Sequence, residues 1–296
     1  MNIIEIKNLT KNYGKNRGIE DVNISVKFGE IFGFIGPNGA GKSTTIKTML
    51  NFIYPTSGEA KILGMDIVKE SDKIKEYIGY VPSEVRYYDD VKVKDIIKYA
   101  KSFYKNINNE EVDSLCRELE LDMDKKMGEL SLGNKKKVSI AQALISKPKV
   151  LILDEPTNGL DPLMQKKLFN ILIKEKEKGT TVFLSSHNLV EVQNLCDRVC
   201  VIKEGKIVDT IEIEKSINKL GLKITLKSKE INKEDILKFS DTILNNKDNL
   251  YTFIYSKNID DFIKEVSKYN IDELLIQKEN LEDAFLNYYE DDKEEM

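Results

Sequence analysis

Up to about residue 214, short apolar runs alternate with longer helical stretches. Gly29–Gly36 (GEIFGFIG), Val150–Leu153 (VLIL), Thr181–Leu184 (TVFL) and Val199–Ile202 (VCVI) are nearly all apolar or glycine. Such unbroken runs predict strands covered on both faces, as in a parallel sheet flanked by helices. Met1–Thr10 carries Glu5 and Lys7 among alternating apolar residues, and predicts a first strand rather than a leader peptide. Between Ile96 and Leu144 the period becomes helical, with Ile96, Ile97, Tyr99, Ala100 and Phe103 spaced for one face.

From Ile213 onward charge and asparagine increase. Strands are expected at Leu222–Leu226, Leu250–Tyr255 and Leu274–Gln277, and helices at Glu234–Phe239, Ile259–Tyr269 and Leu281–Tyr289. In the middle helix Ile259, Phe262, Ile263, Val266 and Tyr269 form one stripe. This order predicts a small α+β unit of ferredoxin-like kind. The acidic tail, Glu290–Met296, is expected to fray.

Of the 296 residues, 41% are hydrophobic and 32% charged, which excludes a disordered chain, a collagen-like repeat and a disulfide scaffold. Lysine and arginine total 46 against 50 acids, a net charge of −4, so no global cationic surface recruits nucleic acid or anionic lipid. The run Lys135-Lys136-Lys137 reads as the solvated start of a helix. The longest uncharged run, Gly179–Val190, falls short of the roughly 20 apolar residues of a spanning helix, so a membrane role is expected through a partner. Cys116, Cys196 and Cys200 fit a reducing compartment. Cys196 and Cys200 lack neighbours for a zinc site and are expected to serve packing.

Chemistry enters with Gly36-Pro37-Asn38-Gly39-Ala40-Gly41-Lys42-Ser43-Thr44, which satisfies G-x-x-x-x-G-K-[ST] between an apolar strand and a helical run. Its glycines let the backbone close around phosphate oxygens, and amides at a helix N-terminus meet the negative charge. Lys42 is expected to reach the β- and γ-phosphates, and the Ser43 hydroxyl to bind Mg²⁺. Four apolar residues then lead into Asp154 and Glu155. Asp154 can hold the magnesium shell, and Glu155 can polarise an attacking water as general base. Seen alone, two adjacent acids at a strand end can also be merely solvated. His187, the only histidine, follows the apolar run Thr181–Leu184. A lone histidine is more often structural, but loops at the C-terminal ends of parallel strands are where such sheets bind ligands.

Taken in order, the phosphate loop, Leu130-Ser131-Leu132-Gly133-Asn134, the Asp154-Glu155 pair, Gly159-Leu160-Asp161-Pro162 and Ser186-His187 form a series. It resembles the nucleotide-binding subunit of an ABC transporter over residues 1 to about 214. The resemblance implies a P-loop NTPase α/β fold of the ABC type: a mostly parallel core sheet flanked by helices, an antiparallel β part and a helical subdomain at about 84–147. Residues 1–214 would then be the ATP-binding domain and 215–296 a C-terminal α+β accessory domain. It also implies roles. Tyr13 would stack on adenine, and Gly36, Asn38, Gly39, Ala40, Gly41, Lys42, Ser43 and Thr44 would hold the phosphates. Ser43 and Asp154 would hold Mg²⁺; Glu155, His187 and Lys42 would carry hydrolysis. Ser131 and Gly133 would complete the ATP site of the opposite subunit in a head-to-tail homodimer, and Asp161 would cross its interface.

Three departures accompany the match. Where the family has a glutamine after a strand, this chain reads Gly79-Tyr80-Val81-Pro82-Ser83-Glu84, with Ser83 or Glu84 as the available oxygen ligand. Leu132 and Asn134 stand where glycine and glutamine are commoner, and Lys137 and Gln142 where arginines are usual. Asn280-Leu281-Glu282-Asp283-Ala284-Phe285-Leu286 and Ile78-Gly79-Tyr80-Val81-Pro82 resemble exporter ATPases of the ABC-2 type. That implies a subunit powering a separate permease for a drug, antimicrobial peptide or lipid-linked compound. The permease would be met near Ser83 to Phe103, on the inner face of the cell membrane, with no nucleic acid involved. The alternative is a soluble ABC ATPase acting on ribosomes or nucleic acid.

Overall fold

The computed structural model of the chain describes residues 1–14, 16–105, 107–217, 221–240 and 243–278. Two units arise, Met1–Ile213 and Glu214–Met296. The first begins with β1 (Asn2–Tyr13), β2 (Asn16–Lys27), β3 (Ile31–Ile35) and α1 (Lys42–Met49). It continues with β4 (Ser57–Ile62), β5 (Met65–Asp66), α2 (Ser71–Lys75) and β6 (Ile78–Val81). Three helices follow, α3 (Val93–Ser102), α4 (Asn109–Glu118) and α5 (Leu132–Ile145). The unit closes through β7 (Val150–Asp154), α6 (Pro162–Glu177), β8 (Thr181–Ser186), α7 (Leu189–Leu195), β9 (Arg198–Lys203) and β10 (Lys206–Glu212), after which α8 spans Ile213–Ile217.

The unbroken apolar runs lie at the centre of a six-stranded sheet ordered β10-β9-β3-β8-β7-β6. All neighbours are parallel except β10 with β9. Every residue of β3, β7 and β8 is buried, as expected of strands with both faces covered. The rings of Phe32 and Phe34 each lie 5.6 Å from Phe183. A four-stranded antiparallel sheet, β2-β1-β4-β5, lies in the same unit. In β2, Val22, Ile24 and Val26 alternate inward, and the two-residue period breaks between Ile19 and Val22, where the β1–β2 register shifts.

Packing of α3 corrects one expectation. Val93, Ile97 and Ala100 are buried, whereas Tyr99 and Phe103 are exposed and meet edge to face at 4.8 Å. Behind it, α5 lies tight on β6: a Cβ on Gly79 would come within 2.3 Å of the Ala143 carbonyl. Among the described residues, no helix is long and apolar enough to cross a membrane.

In the second unit, β11 (Leu222–Lys227), α9 (Lys233–Phe239), β12 (Ile243–Lys247), β13 (Leu250–Tyr255), α10 (Ile259–Val266) and β14 (Glu273–Lys278) follow one another. Their sheet is antiparallel throughout and ordered β12-β13-β11-β14, the split βαβ arrangement of a ferredoxin-like fold. Asn232 and Asp235 cap α9 reciprocally, and Asn258 caps α10. In β12 (ILNNK) Ile243 packs against the core of this unit, and the polar remainder is held by pairing with β13. Expected elements at Leu281–Tyr289 and Glu290–Met296, and the Asn280–Leu286 pattern, lie outside the described residues.

Phe262 anchors this core, fully buried with Phe239, Phe253 and Tyr255 at 5.4, 6.0 and 5.2 Å between ring centres. Phe262→Ala is expected to destabilise the second unit by about 3–5 kcal/mol. Denaturant unfolding followed by tyrosine fluorescence measures that loss.

Candidate functional site

Parallel register brings three strand ends together. Ile35 of β3 lies beside Ser186 of β8, and Ser185 of β8 beside Asp154 of β7. The phosphate loop leaves β3, Glu155 follows β7 and His187 follows β8, so the three sequence signals converge at one edge of the sheet. Gly41 opens α1 at φ 111°, a conformation L side chains rarely adopt, and a Cβ there would lie 2.7 Å from the Ile19 side chain. The loop backbone at Asn38 and Gly39 is exposed, Ser43 and Thr44 are half-buried, and the first-turn amides of α1 have no intrahelical acceptor.

Lys42 and Glu155 form the centre of the site, and both are buried. The Lys42 ammonium donates to the carbonyls of Gly36 at 2.6 Å and Pro37 at 3.2 Å, and lies 3.1 Å from Glu155 Oε1. Glu155 Oε2 lies 2.6 Å from His187 Nδ1 and accepts from the Asn158 side chain at 3.4 Å. Glu155 itself sits at φ 50°, a left-handed conformation that a non-glycine residue keeps only when its surroundings hold it. Its N–H donates to the Ser185 carbonyl at 3.3 Å and to Ser185 Oγ at 3.1 Å.

Asp154 is fully buried. Its Oδ1 accepts from Ser185 Oγ at 2.6 Å, while Oδ2 has no hydrogen-bond partner among the described residues. An unpartnered buried carboxylate oxygen is costly unless something fills the gap, and a hard cation with oxygen ligands fits it. Tyr80 senses the same charge: burial, and then the Asp154 carboxylate, push its hydroxyl up to about 12.

The remaining expected residues lie elsewhere. Tyr13 ends β1, partly exposed, with the Lys11 ammonium 5.4 Å from its ring centre. Ser131 is exposed at the N-cap of α5, its Oγ accepting from the Asn134 N–H at 3.3 Å. Asp161 is the exposed N-cap of α6, accepting from Met164 N–H at 3.0 Å. Gly133 and Gly159 bring these two caps together, since a Cβ on Gly133 would fall 2.1 Å from the Gly159 carbonyl. Among the described residues, no hydrogen bond joins either cap to the Lys42–Glu155–His187 cluster.

The lysine run is not a solvated helix start. Lys136 is fully buried and Lys137 nearly so, because the first turns of α5 face the protein interior. The Lys136 ammonium donates to the carbonyls of Pro82 and Ser83, both at 2.8 Å, and of Glu155 at 3.3 Å. Burial pushes it down to about 8, against the pull of Asp154 and Glu155. The Glu84 carboxylate instead pairs with Arg86 at 2.9 Å on the surface. A second unforeseen residue, the acid Glu191, accepts from Thr157 Oγ1 at 2.9 Å and Ser186 Oγ at 3.1 Å, tying the loop after Glu155 to the end of β8 just before His187.

Residues 19–158 match the family model described as ABC transporter. The bacitracin transport ATP-binding protein of Bacillus licheniformis is 38% identical over 72% of this chain and 70% of its own. An uncharacterized ABC transporter ATP-binding protein of Methanocaldococcus jannaschii is 31% identical over 93% of this chain and 98% of its own. Among solved structures, a dimeric ATP-binding cassette in a post-hydrolysis state with ADP and Pi superposes with a TM-score of 0.64 at 25% identity. That match covers 71% of this chain and 98% of the cassette. With its phosphate loop, acid pair and histidine converging on one sheet edge, the chain belongs to the family of ABC transporter ATP-binding proteins.

Proposed function

We propose that this chain hydrolyses ATP to ADP and phosphate and powers a separate membrane permease of the ABC-2 type, exporting a drug, an antimicrobial peptide or a lipid-linked compound. The observation that carries the hydrolytic reading is the Glu155 carboxylate held between Lys42 and His187, beside the unpartnered Asp154 oxygen. The entering β- and γ-phosphates take the place of Glu155 as the anion at Lys42, helped by the exposed loop amides. The released Glu155 carboxylate accepts a proton as water attacks the γ-phosphorus and the bond to ADP breaks. His187 holds Glu155 Oε2 and aligns the water. Ser43 and Asp154 would hold Mg²⁺, which when bound supplies positive charge against the phosphate oxygens.

Residues 1–214 are the proposed ATP-binding domain, with a helical subdomain at about 84–147, and 215–296 an accessory domain. Tyr13 is assigned to the adenine ring. Exposed caps at Ser131 and Asp161, outside the Lys42 cluster, fit a head-to-tail homodimer in which Ser131 and Gly133 complete the partner's ATP site. The dimeric cassette with ADP and Pi supports that arrangement. The relative named for bacitracin transport supports export, a cytoplasmic position under a permease, and a transporter over a ribosomal or nucleic-acid ATPase.

Glu155→Gln is expected to slow hydrolysis roughly 10²–10⁴-fold and to accumulate an ATP-bound dimer. Phosphate release and gel filtration with ATP measure both; ordinary turnover would remove Glu155 as the base. Affinity purification of the tagged chain in mild detergent is expected to recover a polytopic membrane protein in near-equal amount. Recovery of ribosomes or DNA instead would leave the ATPase standing and end the transporter reading.

A further inference from the structure

Lys136 is a charged residue that the hydrolytic reading leaves unused. Three donors of its ammonium meet three main-chain carbonyls, so the cation is satisfied without a direct carboxylate partner among the described residues. Those carbonyls come from two separate stretches: the turn after β6, at Pro82 and Ser83, and the residue after β7, Glu155. Burying a lone ammonium is costly, and an apolar side chain of similar length would fill the same space without that cost. What the ammonium adds is a three-way tie.

One end of that tie is the residue whose geometry matters most. Ser185 holds the Glu155 N–H, Lys136 holds its carbonyl, and between them the backbone stays at φ 50°. Rotation of that main chain would swing the carboxylate away from Lys42 and His187. The second end is the Ser83 turn, where the sequence lacks a glutamine and where Glu84 turns outward to Arg86. The third is α5, which carries Ser131 at its exposed N-cap.

We propose that Lys136 is a positioning residue for ATP hydrolysis, its ammonium tying the Pro82–Ser83 turn and α5 to the Glu155 carbonyl and so setting where the Glu155 carboxylate points. Movement of either the turn or the Ser131 helix then reaches the proposed base through one side chain. This rests on the reading of Asp154 and Glu155 as the hydrolytic pair.

The test compares the full-length chain with Lys136→Met, which keeps the apolar stem and removes the donors, and Lys136→Gln, which keeps two N–H donors. Glu155→Gln runs alongside. ATP affinity by titration calorimetry, kcat, KM and the thermal midpoint are read for each. Lys136→Met is expected to lose roughly 10- to 100-fold in kcat with KM and ATP affinity unchanged, the mark of a misaligned group rather than a lost binding contact. Lys136→Gln is expected to recover part of that loss. Unchanged kcat in the Lys136 variants beside an inactive Glu155→Gln overturns the proposal alone. It is equally overturned if kcat, ATP affinity and thermal midpoint fall together in both variants, which marks a purely structural lysine. Full activity in Glu155→Gln overturns the hydrolytic reading and this proposal with it. Should Lys136→Met fail to fold, Lys136→Gln decides: a lower kcat at unchanged KM supports the tie, and an unchanged kcat removes it.

Discussion

Two adjacent carboxylates at the end of a dry strand set the terms for the first unit. Every residue of β7 is buried, and Asp154 and Glu155 emerge from it still shielded from water. Removing a carboxylate from water costs several kcal/mol unless charge and hydrogen bonds replace the hydration. Lys42, from the phosphate loop, meets the Glu155 carboxylate; Lys136, from α5, meets its carbonyl. Both cations reach the pair from distant parts of the chain, so the phosphate loop, the helix and the sheet edge are ordered around one charge balance.

That balance also bears on the proposed anion site. Among the described residues, the buried Lys42 pairs with loop carbonyls and Glu155, which supports the proposed exchange of that carboxylate for phosphate. Among the described residues the Asp154 Oδ2 atom remains without a partner, which leaves a place where added positive charge lowers the energy of the site. Glu191 binds the Thr157 and Ser186 hydroxyls together, so the loops on either side of Glu155 and His187 do not move independently.

Much of this was legible in the chain itself. The strands VLIL and TVFL, the phosphate loop and the acid pair announce themselves because each signal is local: a run of apolar residues, a glycine spacing, two acids at a strand end. The α9 and α10 caps, likewise local, bound helices where the pattern places them. The aromatic stripe of α3 misled, because Tyr99 and Phe103 share a helical period with Ile96 and fall on the outward side once Val93, Ile97 and Ala100 face inward. In α5, by contrast, Lys136 and Lys137 do sit on the stripe Gly133, Ile140, Ala141 and Leu144. That periodic clue was outweighed by the general habit of lysines to stay in water.

The sequence by itself determined which candidate chemistry the chain carries and in what order, because glycines spaced as in a phosphate loop, a lysine and paired acids are recognisable without knowing what surrounds them. Its hydrophobic period and composition change near residue 214, and the structure divides after Ile213. Tertiary structure alone decided which charges are buried and what each one touches. Lys136 meets carbonyls 54 and 53 residues away, and His187 meets Glu155 across 32. Such contacts depend on strand order and register, and burial belongs to the packed sheet and helices rather than to any residue's neighbours in the chain.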